Sequence, residues 1–244
     1  MSGVPMPQSP LPSLPPLCPA ATARLRLSRF AAADLRDSEA LLAMHRDPRV
    51  RALLVDDHAL DEPAVVRRFP LGLQGIYARH PGLGIWRADR RLPLDPAALA
   101  EAEAAVQAGE LDAVALDWLQ QPAYAFCGWF NLMPIPHDPA RVEIGCRLLP
   151  QAWGGGLALE GGTGLLLHAF ERLGLDEVWG VCHPQHRSVH AVLLTLGFAP
   201  LGVRAYGDVA AAAHFRIDQP AWRASRRAPL RERQRQALRQ LAVA

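Results

Sequence analysis

One stretch of the chain shows a clear alternation of apolar and polar residues, followed at once by a run of glycines. The alternating residues are Val142, Glu143, Ile144, Gly145, Cys146, Arg147 and Leu148. A period of two predicts a β-strand with two different faces, and Pro150 ends it because proline has no N–H to donate to a sheet. The glycines at 154–156 then open a helix that we expect to run to about Leu173.

Similar patterns predict the elements on either side of this stretch. We expect further strands at 24–30, 84–88, 124–132, from near 178, at 202–206 and at 213–217. Helices are predicted at 33–44, 62–78, 95–107 and just before Leu196-Gly197-Phe198. Pro70 should kink or split the second of these helices, because its ring clashes with the preceding turn.

The chain divides into three parts by composition. Residues 1–22 are Pro-rich and nearly uncharged, which predicts a disordered or polyproline leader. Residues 23–219 carry the strands and helices of one predicted domain, with a helical insertion at about 90–122. Residues 220–244 are predicted to form a basic C-terminal helix or tail.

Composition excludes several classes of protein. The 244 residues are 50% hydrophobic, which suffices for a buried core, and the net charge of +2 gives no global signal for nucleic-acid binding. Four cysteines without a CxxC pair fit free thiols in a reducing cytosol, so we expect a cytoplasmic protein. The apolar N-terminus is broken by prolines and lacks the basic start of a signal peptide, and no apolar run reaches membrane length.

The glycine run has the chemistry of a phosphate site. Glycines before a helix leave several backbone N–H groups unshielded at the positive end of the helix dipole, and this arrangement binds phosphate without a charged side chain. The sequence does not fit the P-loop, because Leu157-Ala158 stands where a Lys-Ser/Thr pair is needed. It also lacks the acidic residue and the βαβ setting of a dinucleotide fingerprint.

The order and spacing of these pieces resemble the acetyl-CoA site of the GNAT superfamily of N-acetyltransferases. Within the superfamily, the sequence is similar to the branch of ribosomal-protein N-terminal acetyltransferases. That branch has a strand ending in proline, a Trp-Gly-x-Gly-x-Ala-x-Glu turn and a helix ending in Leu-Gly-Phe. The corresponding residues here are Pro150, the segment from Trp153 to Glu160, and Leu196-Gly197-Phe198.

The resemblance implies an α/β (α+β) fold with a mixed, mostly antiparallel sheet of about seven strands, flanked by helices and containing a splayed central pair. It also implies acetyl-CoA as cosubstrate and no metal. The strand carrying Leu148 would part from its neighbour near Val178, so that the pantetheine arm pairs with the freed backbone and an N–H near Leu148 polarises the thioester carbonyl. The implied cofactor-binding residues are Leu148, Leu149, Trp153, Gly154, Gly155, Gly156, Leu157, Ala158 and His186.

Acetyl transfer also needs an amine that has lost its proton, because an ammonium has no lone pair. Glu143 is the candidate base, acting through a water, since relatives carry a glutamate at this Glu-Ile-Gly position. The alternative is an edge carboxylate paired with Arg141 or Arg147. Ser188 or His190 is the candidate donor to the leaving thiolate, and Glu160, in the first helical turn, is expected to be structural.

Two positions depart from the family pattern. His186 stands where the family has an asparagine, and Val189 where it often has a serine. Leu193 stands where some relatives have a tyrosine acid, although this branch often has an aliphatic residue there. Because these polar groups would lie near the thiol of the cosubstrate, their replacement leaves one alternative function, a module that binds acyl-CoA as a sensor without catalysis. A second alternative is a zinc site, whose ligands would be Cys182, His183, His186 and His190. The simpler interpretation is that His186 replaces the asparagine near the cofactor.

These motifs do not fix the amine acceptor. The resemblance implies a protein N-terminus, and an aminoglycoside or polyamine is the alternative. The basic tail is expected to be exposed to solvent, and the alternative is that it contacts RNA or a ribosomal surface. A homodimer is possible, and no membrane partner is expected. The insertion is either a cap on the sheet or a lid that attracts a cationic amine through its acidic patch of Glu101, Glu103, Glu110, Asp112 and Asp117.

Overall fold

A computed structural model of the chain describes residues 18–32, 34–55, 60–112, 116 and 120–243. Its strands are β1 (Leu25–Arg29), β2 (Gly84–Arg91), β3 (Tyr124–Ile135), β4 (Asp138–Leu148), β5 (Glu177–Cys182), β6 (Ala199–Tyr206) and β7 (Val209–Asp218). Its helices are α1 (Leu35–Arg46), α2 (Pro48–Arg51), α3 (Pro63–Arg79), α4 (Pro96–Gln107), α5 (Leu157–Leu167), α6 (Arg187–Leu196), α7 (Gln219–Ser225) and α8 (Leu230–Val243). Most of the predicted leader, and Asp117 of the predicted acidic patch, lie outside the described residues.

The seven strands form one open sheet in the order β1-β2-β3-β4-β5-β7-β6. Every neighbouring pair in this sheet is antiparallel except β4 and β5, which run parallel. The two parallel strands are paired only at Glu143 with Trp179 and at Ile144 with Gly180. Beyond Ile144 the described parts of β4 and β5 diverge, which confirms the predicted fold and its splayed central pair.

Helices cover both faces of the sheet, and the central strand β3 buries apolar side chains on both of them. On the α1–α3 face, Leu41 and Tyr77 belong to one buried cluster with Trp129 of β3. On the α5–α6 face, Leu165 belongs to a second cluster with Phe130, the next residue of β3. Since side chains of a strand alternate in the same way along β4, Glu143 and Arg147 share the α1–α3 face.

Helix α5 lies very close to the sheet, and glycine makes this approach possible. A Cβ atom at Gly161 would lie 2.2 Å from Cζ of Phe130, and one at Gly162 would lie 2.8 Å from Leu196. No side chain larger than hydrogen fits at either position without displacing its neighbour. The start of α5, and therefore the glycine turn before it, is thus held close to the end of β4.

Two helices differ from their predictions in detail. Pro70 does not split α3, which is continuous from Pro63 to Arg79. Gln74 Nε2 donates to the carbonyl oxygens of Pro70 (2.9 Å) and Phe30 (2.8 Å), so a tertiary contact ties this turn to the end of β1. The helix after the glycine turn has the predicted length, but its last turn, His168–Arg172, is a π-helix.

The basic tail is helical as predicted, but it is not polar on all sides. Ala237 of α8 is 2% exposed, and this side of the helix packs on α6. Arg233 donates to the carbonyl oxygen of Thr195 at 3.1 Å, and Arg187 donates to that of Leu241 at 3.2 Å. The burial of Ala237 could not be predicted from the sequence, because the residues around it are mostly arginine and glutamine. None of the described helices is long and apolar enough to cross a membrane.

Candidate active site

The glycine turn leads from the end of β4 into α5. Gly154 and Gly156 have φ angles of 76° and 77°, a left-handed conformation that glycine adopts without a Cβ clash. Gly156 is the N-cap of α5, so the first N–H groups of the helix have no partner within it. Trp153 Nε1 donates to the carbonyl oxygen of Leu148 at 2.8 Å, which fixes the start of the turn against the end of the strand.

Arg24, just before β1, braces this turn from the side. Its Nε donates to Glu160 Oε2 at 2.6 Å, and its NH1 donates to the carbonyl oxygen of Gly155 at 2.8 Å. Glu160 also accepts from the Thr22 hydroxyl at 2.5 Å and from the Arg24 backbone N–H at 2.8 Å. Burial alone raises the pKa of Glu160, but these hydrogen bonds outweigh it and hold the pKa below its usual value. These contacts make Glu160 part of the brace, in line with its expected structural role.

The opening between β4 and β5 exposes backbone groups of β4. Leu149 N–H donates to the carbonyl oxygen of Cys127 on β3 at 2.9 Å. Because successive N–H groups of an extended strand point in opposite directions, the N–H of Leu148 points towards β5, where the strands have already parted. Its carbonyl is bound by Trp153, so one donor at the end of β4 faces the gap.

Glu143 lies on the α1–α3 face, one residue before the strands part. The hydroxyl of Tyr206, at the end of β6, donates to Glu143 Oε2 at 2.7 Å. Further along β4, Arg147 is buried with its NH1 2.7 Å from His45 Nε2, and its Cζ lies 4.8 Å from the centre of the Trp129 ring. Since arginine only donates, His45 Nε2 accepts, and Nδ1 of His45 donates to the Leu41 carbonyl at 2.7 Å.

His186 and Ser188 lie together at the start of α6. Ser188 Oγ is 3.1 Å from Nδ1 of His186, and His186 is the N-cap residue. Burial, reinforced by the charges of His190 and His183, holds the pKa of His186 below its ordinary value. The ring of His190 packs instead against Phe215, with ring centres 5.1 Å apart. Of the two candidate donors, Ser188 is therefore the one beside His186.

The structure describes all four residues of the zinc alternative, Cys182, His183, His186 and His190. Across the described part of the chain, no group of three or more histidine, cysteine, aspartate or glutamate side chains is arranged to hold a metal ion. All four cysteines, Cys18, Cys127, Cys146 and Cys182, are free thiols.

Two residues at this site were missed by the sequence patterns. Arg24 is 136 positions from Glu160, and Tyr206 is 63 positions from Glu143. Neither belongs to the motif around the glycine turn. A charged residue at the start of an alternating strand gave no signal that it would reach the glycine turn.

Solved structures of acetyltransferases share this fold. A RimL ribosomal L7/L12 alpha-N-protein acetyltransferase in complex with coenzyme A matches with a TM-score of 0.56 and 14% identity, covering 83% of this chain and 98% of that one. An acetyltransferase from Agrobacterium tumefaciens matches with a TM-score of 0.54 and 19% identity, covering 89% of this chain and all of that one. At sequence identities of 14% and 19%, these matches show that the chain shares their fold.

Sequence comparison gives the family. The model of the acetyltransferase (GNAT) domain matches residues 24–199, more than half of the chain, so the chain belongs to the GNAT family of acetyltransferases and is an acyltransferase. This family uses acetyl-CoA. A stretch of 87 residues is 36% identical to the FsC-acetyl coenzyme A-N(2)-transacetylase of Aspergillus fumigatus. The match covers 33% of this chain and 37% of that protein, so the chain spans little more than a third of the relative's length.

Proposed function

We propose that this protein transfers an acetyl group from acetyl-CoA to a primary amine directly, in a ternary complex, and that the acceptor is a protein N-terminus. The observation that carries the proposal is the juxtaposition of the glycine turn with the Leu148 N–H in the gap between β4 and β5. The names of a structural neighbour, an alpha-N-protein acetyltransferase, and of a sequence relative, an N(2)-transacetylase, support an amine acceptor. We also propose residues 23–219 as the extent of the catalytic domain.

In this proposal the backbone binds the cosubstrate. N–H groups of the turn from Trp153 to Ala158 hold the pyrophosphate at the positive end of α5. The N–H of Leu148 holds the thioester carbonyl, the pantetheine arm lies along the end of β4 at Leu148 and Leu149, and His186 lies at the opposite side of the gap. The residues fit the group because both left-handed glycines lack a Cβ and the Leu148 N–H faces the gap where β4 and β5 are no longer paired. When bound, acetyl-CoA supplies an activated acyl group.

Glu143 and Ser188 then have complementary roles. Glu143, through a water, takes a proton from the acceptor amine, whose nitrogen attacks the thioester carbonyl carbon. A carbon–nitrogen bond forms and the carbon–sulfur bond breaks. Ser188 gives a hydrogen bond or a proton to the leaving sulfur, and the Leu148 N–H stabilises the charge that develops on the carbonyl oxygen. Tyr206 orients Glu143 through its hydrogen bond.

Calorimetry of acetyl-CoA binding tests the cosubstrate, with Gly156→Glu compared to the parent. The new side chain should abolish binding by blocking the turn and repelling phosphate. Gly174→Glu is the matched control, because Gly174 also has a positive φ, 66°, with open space around it. Loss of binding in both variants would point to backbone strain alone, and a parent that binds no acyl-CoA would refute the cosubstrate.

Turnover of acetyl-CoA with peptide and small-molecule amines tests the reaction itself. Glu143→Gln should lower kcat by about 100-fold, the contribution of a general base, while acetyl-CoA affinity stays unchanged. A parent that binds acetyl-CoA but acetylates no amine would instead favour an acyl-CoA sensor. Acetylation of aminoglycosides or polyamines but not of peptides would replace the proposed acceptor.

A further inference from the structure

The α1–α3 face of the sheet carries a cluster of charges around Trp179, directly beside Glu143. Trp179 is the register partner of Glu143 across β4 and β5, so the two side chains share this face. Cζ of Arg141 lies 4.4 Å, and Cζ of Arg204 5.6 Å, from the centre of the Trp179 ring. The indole Nε1 donates to Glu177 Oε1 at 2.7 Å, which fixes the ring in the plane that the two guanidiniums contact.

The positive charges of this cluster are balanced except at Arg204. Arg141 forms an ion pair with Asp138 at 3.0 Å, and Arg216 forms one with Glu177 at 3.3 Å. Arg204 is exposed and has no carboxylate partner in the described part of the chain. A guanidinium held over an indole by cation–π attraction keeps its donors directed outwards, and its fork geometry matches a carboxylate.

The position of Arg204 relative to Glu143 limits what it can bind. Tyr206, which donates to Glu143, is two residues further along β6. Cζ of Arg204 lies 5.6 Å from the centre of the Trp179 ring, and Trp179 is the register partner of Glu143, so the guanidinium and the candidate base flank the same indole. Paired residues of neighbouring strands are about 5 Å apart, so the two groups lie within roughly 10 Å, a length that two or three residues of an extended acceptor can span.

We propose that the acceptor site selects primary amines that also carry a carboxylate, and that Arg204 is the residue that binds this carboxylate. The inference rests on the proposed N-acetyltransferase function and deepens it. In a protein acceptor, the carboxylate belongs to an acidic residue at the second or third position from the N-terminus. Arg204 determines specificity and takes no part in acetyl transfer.

The test compares pairs of amines that differ only in a carboxylate and a carboxamide. One pair is Ser-Asp-Ala-Ala-Tyr amide and Ser-Asn-Ala-Ala-Tyr amide; the other is 5-aminopentanoate and 5-aminopentanamide. We expect the acidic member of at least one pair to have a kcat/KM about 5-fold higher, a difference of the size that an exposed ion pair gives. Arg204→Gln should remove this preference by raising KM for the acidic amine, with kcat/KM for the neutral amine unchanged.

Arg239→Gln is the control, because it removes an exposed arginine from α8 and should keep the preference. Equal kcat/KM values for both members of each pair would overturn the inference and leave the proposed function intact. A preference that survives in Arg204→Gln would also overturn it. If acetyl-CoA binds but neither pair nor any other amine is acetylated, the proposed function itself fails, and the inference fails with it.

Discussion

Arg24 joins the first strand of the sheet to the glycine turn through Glu160, with 2.6 Å between Arg24 Nε and Glu160 Oε2. The same guanidinium binds the carbonyl of Gly155, so this oxygen is turned towards β1. A carbonyl turned to one side of a tight turn leaves the neighbouring N–H groups directed to the other side. The brace therefore sets the direction in which the turn presents its donors.

Replacing Arg24 should weaken acetyl-CoA binding without removing it. We expect Arg24→Gln to raise the Kd for acetyl-CoA about 5-fold, because the Gly155 carbonyl loses its partner and the turn must be ordered on binding. Isothermal titration calorimetry measures this change. Arg49→Gln is the control, since Arg49 forms a comparable exposed ion pair with Asp47 away from the turn. An unchanged Kd in Arg24→Gln would mean that the glycines order the turn alone.

Two glycine-to-alanine substitutions in helices should change stability in opposite directions. At Gly161 a methyl group would overlap the Phe130 ring, so Gly161→Ala should lower the free energy of unfolding by about 1–3 kcal/mol. At Gly72 of α3 a Cβ meets nothing within 4 Å, so Gly72→Ala should raise it by about 0.5–1 kcal/mol. Urea unfolding of both variants gives the comparison, and equal effects would show that α5 can move away from β3.

Tyr206 should affect catalysis through Glu143. Tyr206→Phe removes the hydroxyl that donates to Glu143 Oε2, so the carboxylate loses a group that orients it. We expect kcat to fall about 5–10-fold with the Kd for acetyl-CoA unchanged, which is the size of effect of one hydrogen bond. Steady-state kinetics and calorimetry separate the two quantities. Tyr124→Phe, at the Arg26 contact on β3, is the control and should leave kcat as in the parent.

Acid should destabilise the protein through its buried histidines. Burial lowers the pKa of His168 below its ordinary value near 6.5, while Nε2 of this ring bonds to the Gly82 carbonyl at 2.8 Å. The unfolded state then binds the proton more readily than the folded state, so stability is full above pH 6.5 and falls as the pH drops below it.

His168→Gln keeps a donor for the Gly82 carbonyl but has no group to protonate. We therefore expect its stability to decline less between pH 7 and pH 5 than that of the parent, as measured by chemical unfolding at each pH. Part of the decline in stability with falling pH should remain in His168→Gln, because burial also lowers the pKa of His186, His190 and His214. His137→Gln, on the exposed β3–β4 turn, is the control. If the free energy of unfolding falls equally with pH in the parent and in His168→Gln, His168 does not contribute to the acid sensitivity.

Local sequence was sufficient for most elements of the fold. The period-two alternation at 142–148, the glycines at 154–156 and the helical pattern at 95–107 are local signals, and each of these elements formed as predicted. The order of the motifs also identified the family, because a strand, a glycine turn and a helix ending in Leu-Gly-Phe have a fixed spacing. These properties are encoded by residues close to one another along the chain.

Tertiary structure decided the contacts between distant residues. Three contacts could not be predicted from the spacing of residues along the sequence, because each joins elements that only the folded sheet brings together. They are the Arg24 contact with Glu160, the Tyr206 hydrogen bond to Glu143 and the position of Arg204 over Trp179. Pro70 remained within α3 for a similar reason: a contact from Gln74 to Phe30 supports the helix there. Local propensity is weak compared with such long-range contacts, so the sequence determined the elements and the phosphate turn, whereas packing determined which side chains surround Glu143.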